Sequence, residues 1–212
     1  MKETNPYLES IHEIRSIMER SSKFLSLSGL SGIAAGLTAI VSGVIAYFYL
    51  GSTWNSERIS VTDLSAAPQR QILFLSLLAA ATLLIAVTFA FLFTYRNAKK
   101  KHLPIWDKPA RLLTINILIP LITGGLFILA LVFRFGMYEL AAPSMLIFYG
   151  LGLVNASKYS VNHTWWLGVA EITVGLAALL YPAYGLLFWI IGFGILHLIY
   201  GTILYYSFER NL

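Results

Sequence analysis

Residues 165–208 read WWLGVAEITVGLAALLYPAYGLLFWIIGFGILHLIYGTILYYSF, and the fold is decided here. From Ile172 to Phe208 there are 37 residues without an Asp, Glu, Lys or Arg. That is close to twice the ~20 apolar residues a helix needs to cross a bilayer. One break divides the run, Pro182-Ala-Tyr-Gly185, where proline and glycine favour a turn. The stretch therefore predicts two antiparallel membrane-spanning helices. Folded about residue 183 or 184, they bring Glu171 and His197 to equal depth. At ~1.5 Å of rise per residue, Glu171 lies ~9 Å inside Trp165. An ionisable group at such a depth costs roughly 2.5–3.5 kcal/mol or more, so it calls for a partner or a task.

The rest of the chain has the same character. Of 212 residues, 58% are hydrophobic and 12% charged, against about 25% charged in soluble domains. No polar stretch approaches the ~50 residues of an independent soluble domain. The absence of cysteine excludes disulfides, thiol chemistry and thiolate metal sites. The net charge of +5 sits on residues flanking apolar runs, which argues against nucleic acid as a partner. Residues 1–23 lack the short apolar core and small-residue cleavage site of a signal peptide.

These features predict an all-α polytopic membrane protein of six transmembrane helices paired as three hairpins. The expected spans are about 25–50, 71–95, 112–133, 138–157, 165–181 and 184–208, the membrane domain covering 24–208. An amphipathic helix is expected in residues 1–23, and residues 209–212 form a tail. Tyr7, Leu8, Ile11, Ile14, Ile17, Met18 and Leu25 recur mostly at three- and four-residue spacing. Such a helix lies on the membrane surface or against the bundle. Its heptad-like seam also suits a second copy or a cytoplasmic protein partner through residues 7–25.

Lys and Arg set the orientation. The N-terminus, the segment Arg96–Arg111, Lys158 and Arg210 carry 12 of them, and the alternating segments only Arg58, Arg70 and Arg134. Both termini are therefore expected in the cytoplasm, in the plasma membrane of a bacterium. The basic 96–111 loop suits anionic lipid.

Small residues mark expected helix contacts. Gly29, Gly32, Gly36 and Gly43 form one stripe on the first span, and Gly32-x-x-x-Gly36 permits close approach. Gly168, Glu171 and Gly175 stand at offsets 0, 3 and 7, and Gly194, His197 and Gly201 repeat that spacing. Both polar residues thus belong on faces where helices meet. Asn116 and Asn155 pair at a second level about the turn between spans three and four. They suit interhelical hydrogen bonding, or a polar site shared with Glu171 and His197.

Three inside–outside–inside hairpins share some wording. Gly36-Leu-Thr-Ala-Ile, Gly125-Leu-Phe-Ile-Leu and Gly175-Leu-Ala-Ala-Leu occupy the odd spans, while Gly150-Leu-Gly-Leu-Val-Asn155 and Gly192-Phe-Gly-Ile-Leu-His197 occupy the fourth and sixth. Trp166-Leu-Gly168, Gly175-Leu-Ala-Ala-Leu179, Pro182, Gly192-x-Gly194, Gly201 and Arg210 also resemble the repeat unit of the HdeD-like acid-resistance membrane proteins of bacteria. The resemblance covers about a quarter of the chain. It implies a hairpin-built membrane protein of similar span number and a link to envelope stress, with no reaction attached. The long 51–70 loop, the amphipathic N-terminus and the Glu171/His197 pair depart from that pattern.

Enzyme motifs are few. Gly29-Leu30-Ser31-Gly32 matches the GxSG word of rhomboid-type intramembrane serine proteases, which are similar in span number and in a histidine on the sixth span. Here, however, the serine stands on the first span, and His197 is followed by glycine at the fourth position rather than the third. HExxH, GxSxG and phosphate-binding loops are absent. The histidines at 12, 102, 163 and 197 lack metal-ligand spacing. No enzyme, cofactor, metal or catalytic residue is expected. The expected function is non-enzymatic passage or sensing of a proton or small solute at Glu171/His197, with an envelope or scaffold role as the alternative.

Overall fold

The computed structural model of the chain describes residues 24, 27–54 and 69–209. The amphipathic helix expected in residues 1–23, most of the 51–70 loop and the last three residues lie outside the described residues. Those described form six long apolar helices, each long and apolar enough to cross a membrane. They are α1 (Gly29–Trp54), α2 (Gln69–Lys100), α3 (Lys108–Arg134), α4 (Tyr138–Tyr159), α5 (His163–Leu180) and α6 (Pro182–Ser207). No strand occurs among the described residues.

Local chemistry explains the helix ends. Arg96, Lys99 and Lys100, expected in a loop, extend α2, and the last two meet the negative end of its dipole. His102 then takes a left-handed backbone (φ 52°), and the Leu103 N–H bonds back to the Ala98 carbonyl. After a short turn, Asp107 caps α3 by accepting from the Ala110 N–H at 2.8 Å, with Pro109 in the first turn. Gly136, at φ 68°, supplies the backbone needed between α3 and α4. Pro143 lies in the opening turn of the α-helical part of α4, where its missing N–H costs little. The expected break at Pro182 is a single 3-10 turn, Pro182–Tyr184, between α5 and α6.

Packing follows the glycines. α1 lies along α6: a Cβ on Gly32 would stand 2.9 Å from the Gly201 Cα, and one on Gly36 2.7 Å from the Gly194 carbonyl oxygen. α4 lies along α5 in the same way, Gly150 and Gly168 each facing the other's carbonyl oxygen. α2 packs on α1 and α3 on α4. The two glycine sets flanking Glu171 and His197 therefore serve different neighbours: Gly168 and Gly175 admit α4, and Gly194 and Gly201 admit α1. Glu209, just beyond α6, closes the bundle by accepting from the Gly29 N–H and, at 3.1 Å, from the Ser28 hydroxyl. Its carboxyl thus sits on the positive end of α1.

Polarity is arranged inside-out. Phe48 is 71% exposed, Leu84 68% and Leu180 76%. Ser28, Ser42, Thr82, Asn97, Glu171 and His197 are buried. Thr82 donates to Ser42 at 2.6 Å between α1 and α2, and the Asn97 amide donates to the Leu27 carbonyl at 3.0 Å.

Candidate functional site

Three helices build the site. Glu171 stands in the middle of α5, one turn from Gly168 and Gly175, whose missing side chains let α4 close over it. His197 follows a π-helical segment of α6, Ile190–Leu196. Such segments displace a side chain from regular helical register and recur at functional sites. Tyr149 comes from the centre of α4.

Glu171 is 0% exposed. Its Oε1 lies 3.3 Å from His197 Nδ1, without the alignment of a hydrogen bond, and among the described residues neither carboxyl oxygen has a hydrogen-bond partner. His197 Nδ1 also lies 3.2 Å from the Gly192 carbonyl oxygen. A carbonyl only accepts, so Nδ1 carries the ring hydrogen. In the neutral ring Nε2 is then the acceptor, and the Tyr149 hydroxyl donates to it at 2.7 Å. The walls are apolar or aromatic: Leu146 is fully buried, and the rings of Tyr149 and Phe193 stand 5.3 and 6.1 Å from the imidazole. Gly192 makes room for the acid, since a Cβ there would lie 2.6 Å from Glu171 Oε2.

Chemically, the arrangement can hand a proton from a phenol through an imidazole to a carboxyl. Imidazole can receive a proton at one nitrogen while releasing one at the other. Here the receiving nitrogen faces a phenol and the releasing one faces a carboxyl oxygen that lacks a hydrogen bond. A buried polar atom left unpaired costs about 1–3 kcal/mol. Passage of the Nδ1 hydrogen to Glu171 while Nε2 takes up a proton leaves a neutral acid beside a neutral imidazole, with the Gly192 carbonyl giving up its donor. Glu171 and His197 are two potential metal ligands, and among the described residues no third His, Cys, Asp or Glu joins them.

The expected pair is thus in contact. The second level is joined as well, but apart from the first. Asn155 donates to the Asn116 backbone carbonyl at 3.0 Å, while the Asn116 amide turns back to the Leu112 carbonyl at 2.7 Å. Asn155 lies six residues along α4 from Tyr149, ~9 Å of helix, so the asparagines tie α3 to α4 outside the acid–imidazole site. Ser31, from the GxSG word, donates to the Ser28 carbonyl one turn back and makes no hydrogen bond to His197. A cleft of about 470 Å³ opens between the start of α2 and the end of α3, at Arg70, Leu73, Phe133 and Tyr138. It does not reach Glu171.

Tyr149 and Gly192 are not among the site residues the sequence points to. Tyrosine favours the ends of membrane helices, and one at the centre of an apolar helix was the available signal for Tyr149. Nothing in the sequence marked Gly192 apart from its neighbour Gly194. Among known proteins, no family model, curated protein or solved structure matches the chain.

Proposed function

We propose that the chain is a six-span integral membrane protein of three helical hairpins. Its Glu171–His197–Tyr149 site takes up and releases a proton, so as to pass or sense protons or a small solute. The exposed apolar faces of all six helices and the polar interior support insertion in a bilayer, where such faces meet lipid rather than water. The Lys/Arg imbalance supports cytoplasmic termini, and the wording shared with the HdeD-like unit supports a bacterial plasma membrane. One observation carries the functional reading: among the described residues the enclosed Glu171 has no hydrogen bond, and 3.3 Å away stands an imidazole whose other nitrogen is already engaged. A structural contact alone would be served by an amide; a carboxyl gives the site a group able to change charge.

Purified protein in liposomes tests this, with proton flux followed by an internal pH-sensitive dye under an imposed potassium gradient. Glu171→Gln and His197→Ala should each abolish flux or remove its pH dependence. If both variants behave like the unmodified chain, the proposal is lost.

A second reading, as a docking platform, is favoured by one surface. Arg96, Lys99, Lys100, Lys108 and Arg111 are exposed around the 101–107 turn, with Trp106 among them. That composition suits anionic lipid headgroups. Vesicles containing phosphatidylserine should retain the protein more strongly than neutral ones, and charge-neutralising substitutions at these five positions should remove the difference.

A further inference from the structure

We infer that Ser160, Thr164 and Tyr200 form the limb of a proton route that reaches Glu171 through Tyr149 and His197, from the α4–α5 connection. The inference rests on the proton-binding reading above and adds how the enclosed acid is reached.

Three hydroxyls stand in a row in the interior. Ser160 and Thr164 are 3.0 Å apart, and Thr164 and Tyr200 are 3.0 Å apart. All three residues are buried. Ser160 belongs to the connection between α4 and α5, between the exposed residues Lys158 and Asn162. The row therefore begins beside solvent-facing chain and runs inward. Thr164 is two turns before Glu171 on the same face of α5, and Tyr200 is one turn beyond His197 on α6. The row thus ends one helical turn short of the imidazole. Tyr149, already bonded to His197, packs against the apolar cluster that contains Tyr200. No hydrogen bond joins the two phenols. That single open link is where passage is controlled.

The transfer balances without another reactant. A proton arriving at Ser160 Oγ releases that hydroxyl's own hydrogen to Thr164, and Thr164's passes to Tyr200. When the phenols meet, Tyr200's hydrogen passes to Tyr149 and Tyr149's to His197 Nε2. The Nδ1 hydrogen then moves to Glu171. Each O–H or N–H bond broken is replaced by one formed. The net change is one proton bound on the Glu171 carboxylate, with no change of oxidation state.

Each element around the route contributes its own titratable groups. α4 presents Tyr149 and α6 presents His197 and Tyr200. α1 carries no charged side chain, and its two tyrosines, Tyr47 and Tyr49, stand near its other end. His163 neighbours Thr164 at the start of α5, and Glu209 is engaged by Ser28 and the Gly29 N–H.

The test uses the full chain in the liposome assay with Glu171→Gln, Thr164→Val, Thr164→Ser and Tyr200→Phe. Thr164→Val and Tyr200→Phe keep the shape and lose the hydroxyl. They should slow flux by roughly a hundredfold, the lower range for loss of a positioned proton donor. Thr164→Ser should retain flux, which a purely structural role for Thr164 does not require. If Glu171→Gln abolishes flux while Thr164→Val and Tyr200→Phe conduct normally, the route is wrong and the proton-binding reading stands. If Glu171→Gln itself conducts normally, that reading fails and the route with it. A chain that senses without conducting is read by infrared spectroscopy, as the hydrogen–deuterium exchange rate of the carboxyl band missing from Glu171→Gln. Exchange should slow by a similar factor in both hydroxyl-free variants, and an unchanged rate overturns the route. A chain with neither flux nor such a band overturns both. Should Tyr200→Phe fail to fold, the comparison of Thr164→Val with Thr164→Ser decides.

Discussion

Gly192→Ala tests the site at its tightest contact. The added methyl would lie 2.6 Å from Glu171 Oε2 and against a Leu146 methyl, where ordinary contact begins at 3.4 Å. The carboxyl oxygen must therefore retreat by about 0.8 Å. Both displaced groups are flexible ends, yet Glu171 and Leu146 are each fully buried. The displacement passes to the 3.3 Å approach between Oε1 and His197 Nδ1. Overpacking of this kind costs about 1–3 kcal/mol. Replacing glycine by alanine inside a helix returns up to about 1 kcal/mol. The net loss of stability is therefore about 0–3 kcal/mol, while the site is disturbed directly. Two measurements separate the effects: unfolding in detergent followed by circular dichroism, and the nitrogen-15 chemical shifts of the His197 ring. A modest loss in the first and clear movement of the Nδ1 resonance in the second are expected. Unchanged ring shifts would show that the carboxyl is not held against Gly192 and that the site's geometry is wrong.

Gly201→Ala meets backbone instead, the Ile33 nitrogen and, at 2.7 Å, the Gly29 carbonyl oxygen. α1 and α6 must separate, and a loss of about 3 kcal/mol or more is expected in the same unfolding assay. Gly125→Ala, with nothing within 4 Å of its added methyl, should be neutral or stabilising by up to about 1 kcal/mol. Thr82→Val removes the 2.6 Å bond to Ser42, and a double-mutant cycle with Ser42→Ala should give a coupling near ~0.6 and no more than ~1.7 kcal/mol. Glu209→Gln withdraws a negative charge from the N-terminus of α1, which should cost about 0.3–1 kcal/mol and less in high salt. A Glu209→Gln effect insensitive to salt would contradict the dipole account.

The sequence made the helices legible because a bilayer-length apolar run is a local property. All six expected segments correspond to long apolar helices, and the meeting of Glu171 with His197 followed from one turn and a fixed rise per residue. What could not be read was set by contacts between distant segments. Asn97 stands in a basic stretch that suggests a loop, yet its amide reaches the Leu27 carbonyl 70 residues away. The carboxyl of Glu209 meets the first helix 180 residues away, and no periodicity records that. Spacing marks the glycines around Glu171 and His197 as contact positions, but spacing on one helix cannot say which neighbour will fill the space. They turned out to admit α4 and α1, and the helix brought in on the Glu171 side carries Tyr149.

That arrangement explains why the acid and the imidazole meet at the junction of two close helix seams. In the α4–α5 and α1–α6 seams backbone approaches backbone, and a seam of that kind cannot slide without separating its helices. Glu171 rides on one seam and His197 on the other. Their 3.3 Å approach is therefore fixed by two rigid pairs rather than by side-chain preference. The π-helical segment before His197 lies where α6 passes from one seam to the other. In that setting the histidine ring is placed by its carbonyl, its phenol and its acid. On the proton-binding reading proposed above, a site so built changes its proton without changing its fold.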